Sequence, residues 1–404
     1  MLNRHASPRS FRTRSLGIRA GLLFLCLFLL RCAVQDVVVG AVLPLSGPGR
    51  GTGRSVERGL ILAASALASR GGVDWRPLRL DIRDGGSRPA AGAETLDELF
   101  RSEAVAAAIG GTTTSEVNAL IPVAEKYGKL LLSPCAAASG TPPESGAFLS
   151  AWPAPAAEGR ALAEFAAYGL HASRALLIRS PDAYGEAVER AFLEAFRGEG
   201  RHADAVAPPA DPGGFVPPRR RDAPVQVIVL AGQGAELTRL FQTAAAEAPD
   251  RLRILSGIPF PPESTYSKAP QSPPVLRLHP RLAPPDTERT AFAAAYRKRF
   301  GSEPDVIAAR AYDLLMLLAE DMALAGNRPE VLRAGLEGRP RKNLVSGTFT
   351  LSSPAAENAP LDIRLAPSGK GFPVQPDDAR LSDLRRRVEG IRFGDAHGAP
   401  AFPE

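Results

Sequence analysis

The sequence predicts an α/β protein built from two parallel-sheet units in succession. Three observations carry this. Apolar, β-branched runs alternate with helix-period segments from residue 37 to 132; the alternation breaks at a proline-rich stretch around residues 148–155; it then resumes to about residue 255. Strands separated by helices pair in parallel, with helices on both faces of a doubly wound sheet. At 404 residues the chain is too long for one ordinary core and suits about two domains.

The elements follow from period. Val37–Leu43 (VVVGAVL) is a continuous apolar run and predicts a buried strand. Val56–Ser69 carries apolar residues at helical spacing. Leu78–Ile82, Val105–Ile109 and Leu130–Leu132 predict strands, with helices at Thr95–Phe100 and Ser115–Tyr127 between them. After the break at Phe148–Pro155, helices are expected at Gly159–Tyr168, Gly185–Phe196 and Glu236–Ala246. They alternate with strands at Ala175–Ile178, Val225–Leu230 and Leu252–Leu255. Ala207–Pro224 is rich in Pro, Gly and Arg and predicts an irregular surface connection. Thr287–Phe300 and Val306–Ala325 predict two late helices, the second apolar enough for a core. Val345–Leu351 and Leu361–Leu365 predict short strands.

Charge narrows the function classes. The formal net charge is +6, yet six arginines (Arg4, Arg9, Arg12, Arg14, Arg19, Arg31) lie in the first 31 residues. Setting them aside leaves 43 basic residues against 43 acidic ones. A balanced body offers no basic patch for a phosphate backbone, so no nucleic-acid partner is expected. The positive leader runs into the uncharged Ala20–Leu30 (AGLLFLCLFLL), 11 residues against the roughly 20 that span a bilayer. A positive region followed by a short apolar core predicts a signal peptide over residues 1–32. Its exit, Leu29-Leu30-Arg31-Cys32, resembles a bacterial lipobox. Leu at −3 fits, whereas Arg31 stands where a small residue is preferred. Lipidation at Cys32 and ordinary cleavage just beyond it both stay open. Cys135 is then the single cysteine of the body, read as a small apolar filler, with a catalytic thiol as the rival.

Catalytic and cofactor motifs fail on spacing. Gly47–Gly53 follows a strand and opens a helix, but no three of its glycines satisfy G-x-G-x-x-G. There is no G-x-x-x-x-G-K-[ST] loop and no G-x-S-x-G elbow. His5, His171, His202, His279 and His397 stand too far apart for a short metal-binding pair. Asp84, just past the second strand, reads as a loop acid. No cofactor, metal or enzymatic activity is expected.

Val37–Ser55 (VVVGAVLPLSGPGRGTGRS) resembles the opening of the leucine/isoleucine/valine-binding protein family, the solute-binding proteins of ABC importers. The resemblance continues in order through Gly59–Ala63, Gly71-Gly72-Val73, Ile109-Gly110, Ser133-Pro134, Asp182-Ala-Tyr-Gly185 and Ala311-Tyr-Asp-Leu314, covering most of residues 37–350. It implies a type I periplasmic-binding fold: two lobes joined by three crossing strands, closing on a solute. Lobe 1 would hold residues 37–152 and 283–345, and lobe 2 residues 153–282 and 346–375, with a tail at 376–404. The crossings would fall near Trp152, at Leu276–Leu282 and at Ser346–Leu351.

The resemblance also implies a ligand set. Thr113, Thr114 and Ser115 would meet a solute carboxylate at a helix start, a position where hydroxyls also serve as N-caps. Ala136, Ala137, Tyr184, Gln233, Pro259 and Thr52 would line the cleft, with Arg54 beside Thr52 on the first loop. Ala137 lacks the hydroxyl common at its position. Ile258 and Pro259 stand where amino-acid binders of the family supply a carboxylate for the ligand ammonium. The implied partners are a small organic solute (amino-acid-like, amide or carboxylate) and ABC permease subunits in the inner membrane. The implied place is the periplasm of a Gram-negative bacterium, with membrane contact only through a lipid on Cys32. The alternative is a non-transporting periplasmic lipoprotein or sensor of the same fold that regulates a protein partner.

Overall fold

The computed structural model describes residues 36–139, 146–198, 200–207, 225–232, 237, 253–258, 275–280, 286–341, 344–347, 349–353, 355 and 361–366. Residues 1–35 with Cys32 and the expected signal peptide, residues 208–224, Gln233, Pro259, most of the expected helix Glu236–Ala246 and the expected tail at 376–404 lie outside them.

The first sheet contains β1 (Val37–Leu43), β2 (Leu78–Asp84), β3 (Val105–Gly110), β4 (Leu130–Ser133) and β5 (Phe148–Ser150), ordered β2-β1-β3-β4-β5 and parallel throughout. Helices α1 (Arg50–Ser69), α2 (Pro89–Phe100) and α3 (Thr114–Tyr127) connect its strands. Successive side chains of a strand point to opposite faces, and β1 shows the result. Val37, Val39, Ala41 and Leu43 join one apolar cluster with Val56 and Leu60 of α1. Val38 and Val42 join another with Leu96 and Leu99 of α2 and Val117 and Leu120 of α3. Both faces are covered, which is why β1 reads as continuous apolar sequence.

The second sheet contains β6 (Arg174–Arg179), β7 (His202–Val206), β8 (Val227–Ala231), β9 (Arg253–Ser256), β10 (Val275–Pro280) and β13 (Leu361–Ala366). Its order is β13-β10-β9-β8-β6-β7, parallel except for β13, which runs antiparallel to β10. Helix α4 (Pro155–Glu164) continues into a π-helical turn, Phe165–Gly169, and packs on α5 (Ala183–Phe196).

After β10 the chain forms α6 (Thr287–Phe300), α7 (Val306–Ala325) and α8 (Pro329–Leu336), and α6 and α7 both pack on α1 of the first half. The α1–α7 contact needs Gly59, because a Cβ there would collide with the Ala308 carbonyl. A two-stranded ribbon, β11 (Pro340–Arg341) with β12 (Phe349–Thr350), follows.

Several boundaries move relative to expectation. Helix α1 begins at Arg50 rather than Val56, so Thr52 and Arg54 stand in the helix and not on a loop. Arg54 is exposed and paired with Glu57 at 2.9 Å. Helix α2 begins at Pro89, whose fixed φ suits the first helical turn. Four elements are additions: β5 and β7 are short strands at sheet edges, β11 is a two-residue partner of β12, and α8 buries only Leu332 and Leu336. The expected strand Val345–Leu351 narrows to Phe349–Thr350. Val345 and Ser346 form a turn that leads into Gly347 at φ 99°.

Candidate functional site

Each sheet has a point where the winding reverses. From β1 the chain goes to β2 on one side and then to β3 on the other; from β6 it goes to β7 and then to β8. Loops leaving the carboxyl ends of such strands diverge and leave a crevice. The loops after β1 and β3, and after β6 and β8, are therefore where a ligand would sit.

In the first half, Asp84 fixes the loop after β1. Its Oδ1 accepts the N–H groups of Leu45 (2.9 Å), Ser46 (3.2 Å) and Gly86 (2.8 Å). The Ser46 hydroxyl and these N–H groups hold the Asp84 carboxyl below the usual range. Ser87 adds a second tie, accepting from the Gly49 N–H at 3.0 Å.

The loop after β3 opens α3. Thr113 is its N-cap, with Oγ1 accepting from the Glu116 N–H at 3.2 Å. Glu116 reaches back, and its Oε2 accepts the N–H and the hydroxyl of Thr112, both at 2.8 Å. Thr114 is buried. The N–H groups of Thr114 and Ser115 find no acceptor among the described residues, as expected for the first turn of a helix. They present the positive end of a 14-residue helix.

The loop after β4 folds against this helix start. Ser133 donates to the Gly111 carbonyl (2.8 Å) and accepts from the Ala136 N–H (3.0 Å). Ser150 donates to the Ala136 carbonyl (2.9 Å), and Asn118 and Ser139 exchange two bonds of 3.2 Å. Ala136 and Ala137 are both buried. The Ala136 N–H is thus already engaged, whereas that of Ala137 has no acceptor among the described residues. Cys135 is buried, with Sγ 4.0 Å from the Thr112 carbonyl. Burial, with the Glu116 and Asp305 charges, pushes its thiol far above the ordinary range, so it is held away from the nucleophilic thiolate form.

In the second half, Asp182 caps α5, accepting from the Gly185 N–H (2.8 Å) and the Ser180 hydroxyl (2.7 Å). This cap places Tyr184 in the first turn, where its hydroxyl donates to Glu158 Oε1 at 2.5 Å. The Ile258 N–H, just past β9, donates to the same oxygen at 2.6 Å. Glu158 lies in the first turn of α4 and is 1% exposed. Burial pushes its carboxyl up to about 7 against the opposing pull of these donors and of Arg277. Tyr184 is raised well above the phenol range by burial and by Glu158.

The structure therefore brings Thr113, Thr114, Ser115, Ala136 and Ala137 together at one sheet edge, and Tyr184 at the carboxyl edge of the other. Helices α3 and α5 touch, so the two edges approach each other. Sequence reasoning placed no carboxylate in the second half, because Ile258 and Pro259 occupy the expected position. Glu158 reaches that same Ile258 from another element. Its sequence setting, APAAEGRALAE, looks like an ordinary solvated helix start, so no local signal marks it. Among the described residues, no group of three or more His, Cys, Asp or Glu could hold a metal ion. No described helix is long and apolar enough to cross a membrane.

Two parallel-sheet lobes, each reversing its winding beside its first strand, define a bilobal α/β fold. The chain belongs to the periplasmic binding protein family, whose model matches residues 36–360. A curated relative, Leu/Ile/Val-binding protein homolog 3 of Brucella melitensis biotype 1, is 22% identical over 225 residues. That match covers 54% of this chain and 60% of the relative, so the chain spans less than two thirds of its length. Among solved structures, the branched-chain amino acid transporter substrate-binding protein LivJ of Streptococcus pneumoniae, in complex with isoleucine, superimposes with a TM-score of 0.69 at 20% identity, covering 83% of this chain and 99% of that one. A solute-binding protein of an ABC transporter from R. palustris, in complex with benzoate, gives 0.65 at 19% identity, covering 84% and 95%. These likenesses establish the type I periplasmic-binding fold and agree with the resemblance carried by residues 37–55.

Proposed function

We propose that this protein captures a small organic acid, amino-acid-like or aromatic, between its two lobes and delivers it to ABC permease subunits. The observation that carries this reading is the pair of N–H groups, Thr114 and Ser115, that find no acceptor among the described residues at the positive end of α3, a ready seat for a carboxylate. Thr52, Thr113, Ala136, Ala137 and Tyr184 would line the crevice with them, joined by Gln233 and Pro259, which follow β8 and β9 in sequence and lie outside the described residues. The lobes would divide as 37–152 with 283–345, and 153–282 with 346–375, and closure of one on the other would retain the solute. The signal segment would deliver the chain to the periplasm, with Cys32 acylated or removed.

Relatives of this fold hold different acids, isoleucine in one and benzoate in another. The test is accordingly a thermal-shift panel of L-leucine, L-isoleucine, benzoate and 3,4-dihydroxybenzoate. A solute at 100 times its Kd stabilises the folded state by about 2.7 kcal/mol, a shift of a few degrees for a chain of this size. A flat response to all four would argue against the reading.

Ala137, which offers no hydroxyl, favours a second reading: a non-transporting envelope lipoprotein or sensor that regulates a protein partner. Co-purification with a wall synthase, rather than with a permease, would support it.

A further inference from the structure

One side chain in the second half ties together three segments that are distant in sequence. Glu158 belongs to α4, yet its Oε1 accepts from Tyr184, 26 residues on, and from the Ile258 N–H, 100 residues on. The Ile258 peptide is held at its other end as well, because Arg277 of β10 donates to the Ile258 carbonyl at 3.1 Å. Gly257 completes the fit: a Cβ there would strike both Glu158 Oε1 and the Tyr184 hydroxyl. All of this lies at the carboxyl edge of the second sheet, beside the start of α5.

We propose that Glu158 is a positioning residue, holding Tyr184 and the Gly257–Ile258 turn on one carboxyl oxygen and so setting the solute-facing edge of the second lobe. The proposal rests on the reading of the crevice as a solute site. A staple needed for stability alone is better made without a charge, since burying a carboxylate is expensive. Glutamine would keep both acceptor bonds at Oε1 without that expense. A carboxylate differs from glutamine in strength: as an ionised acceptor it forms bonds about twice as strong as neutral ones. Burial holds the Glu158 carboxyl near neutrality, so the strength of the tie changes within the physiological range. The groups facing it are the Tyr184 hydroxyl from α5, the Ile258 peptide and Arg277 from β10. Tyr184 is raised well clear of this range and an arginine does not lose its proton, so among these facing groups Glu158 alone titrates there.

The test compares Glu158→Ala with Glu158→Gln. Without solute, amide hydrogen exchange at Ile258 and at residues 183–186 should accelerate at least tenfold in E158A and stay within about threefold of wild type in E158Q. The β1 amides should be unchanged in both. With L-isoleucine and benzoate as probes, the Kd of whichever binds should fall severalfold from pH 6 to pH 8 in wild type, stay flat in E158Q and be at least tenfold weaker in E158A. Wild-type exchange at Ile258 in E158A would overturn the proposal. So would equal acceleration at Ile258 and throughout β1, or the same pH slope in wild type and E158Q. Failure of both probes to bind wild type would count against the solute reading alone; the exchange comparison decides the role of Glu158 in either case.

Discussion

Arg310 and Asp313 stand three residues apart on α7 and hold two separate segments that pass between the halves. The Arg310 guanidinium donates to the Ala151 carbonyl and lies 5.0 Å from the Trp152 ring centroid and 5.3 Å from that of Phe349. Asp313 accepts the N–H groups of Val345 (3.1 Å) and Ser346 (2.8 Å). The two segments also pair directly, Ser150 with Ser352. One helix face therefore grips the chain where it leaves β5 and where it approaches β13. Burial lowers Arg310 to about 10, with Asp313 opposing, so it stays charged at neutral pH.

Removing either member should loosen this junction. Asp313→Ala leaves two buried N–H groups without their acceptor, at about 1–3 kcal/mol each, and Arg310→Ala leaves the Ala151 carbonyl and both ring faces uncovered. Chemical denaturation should show a loss of about 2–4 kcal/mol for each. A loss under about 0.5 kcal/mol would place the grip elsewhere.

The two buried acids predict the pH dependence of stability. Burial raises Asp313 to about 6 and Glu158 to about 7, against 3.8 and 4.5 for the free groups. Between those limits the folded state keeps protons that the unfolded chain has released, so raising the pH favours unfolding. Stability should be greatest near pH 4 on this account and decline toward pH 7, with Glu158 contributing a drop on the order of 3 kcal/mol. Glu158→Gln should remove the upper part of the decline in unfolding curves taken from pH 4 to 8; an unchanged slope would contradict the assignment.

Gly59→Ala tests the α1–α7 contact. The added methyl meets the Ala308 backbone, and overpacking of this kind costs about 1–3 kcal/mol. A thermal melt should drop accordingly, while the same change at Gly51, which has open space around it, should be nearly neutral.

Three strands of the first sheet, β1, β3 and β4, were legible because they are buried on both faces and read as unbroken apolar runs; β1, α6 and α7 carry the bounds that periodicity gave them. Pattern fails where little is buried. β7 places only Ala203 in the core, β5 is three residues long, and four glycines around the start of α1 disguise its first turn as a loop. The α3 end of the site was legible because hydroxyl N-caps have a local signature at Thr113. Glu158, Arg310 and Asp313 were not, since each owes its role to partners between 26 and 159 residues away. Arg310 and Asp313, charges in the first half of the largely apolar α7, were the one visible hint.

On the reading proposed above, the start of α3 seats the carboxylate of a captured solute. Thr114→Pro examines it directly, with Thr114→Val as the control for loss of the hydroxyl alone, because proline is accepted at the first helical position and takes from the backbone only an N–H that the helix does not use. Thr113 already has the extended backbone, φ −133° and ψ 157°, that a following proline requires. Calorimetric titration with the four acids of the panel should give saturable one-to-one binding of at least one to wild type. In Thr114→Pro that affinity should fall at least tenfold, with the solute-free melting temperature within a few degrees. Binding retained at full strength in the variant, or absent for every acid in the wild-type protein, would contradict the account.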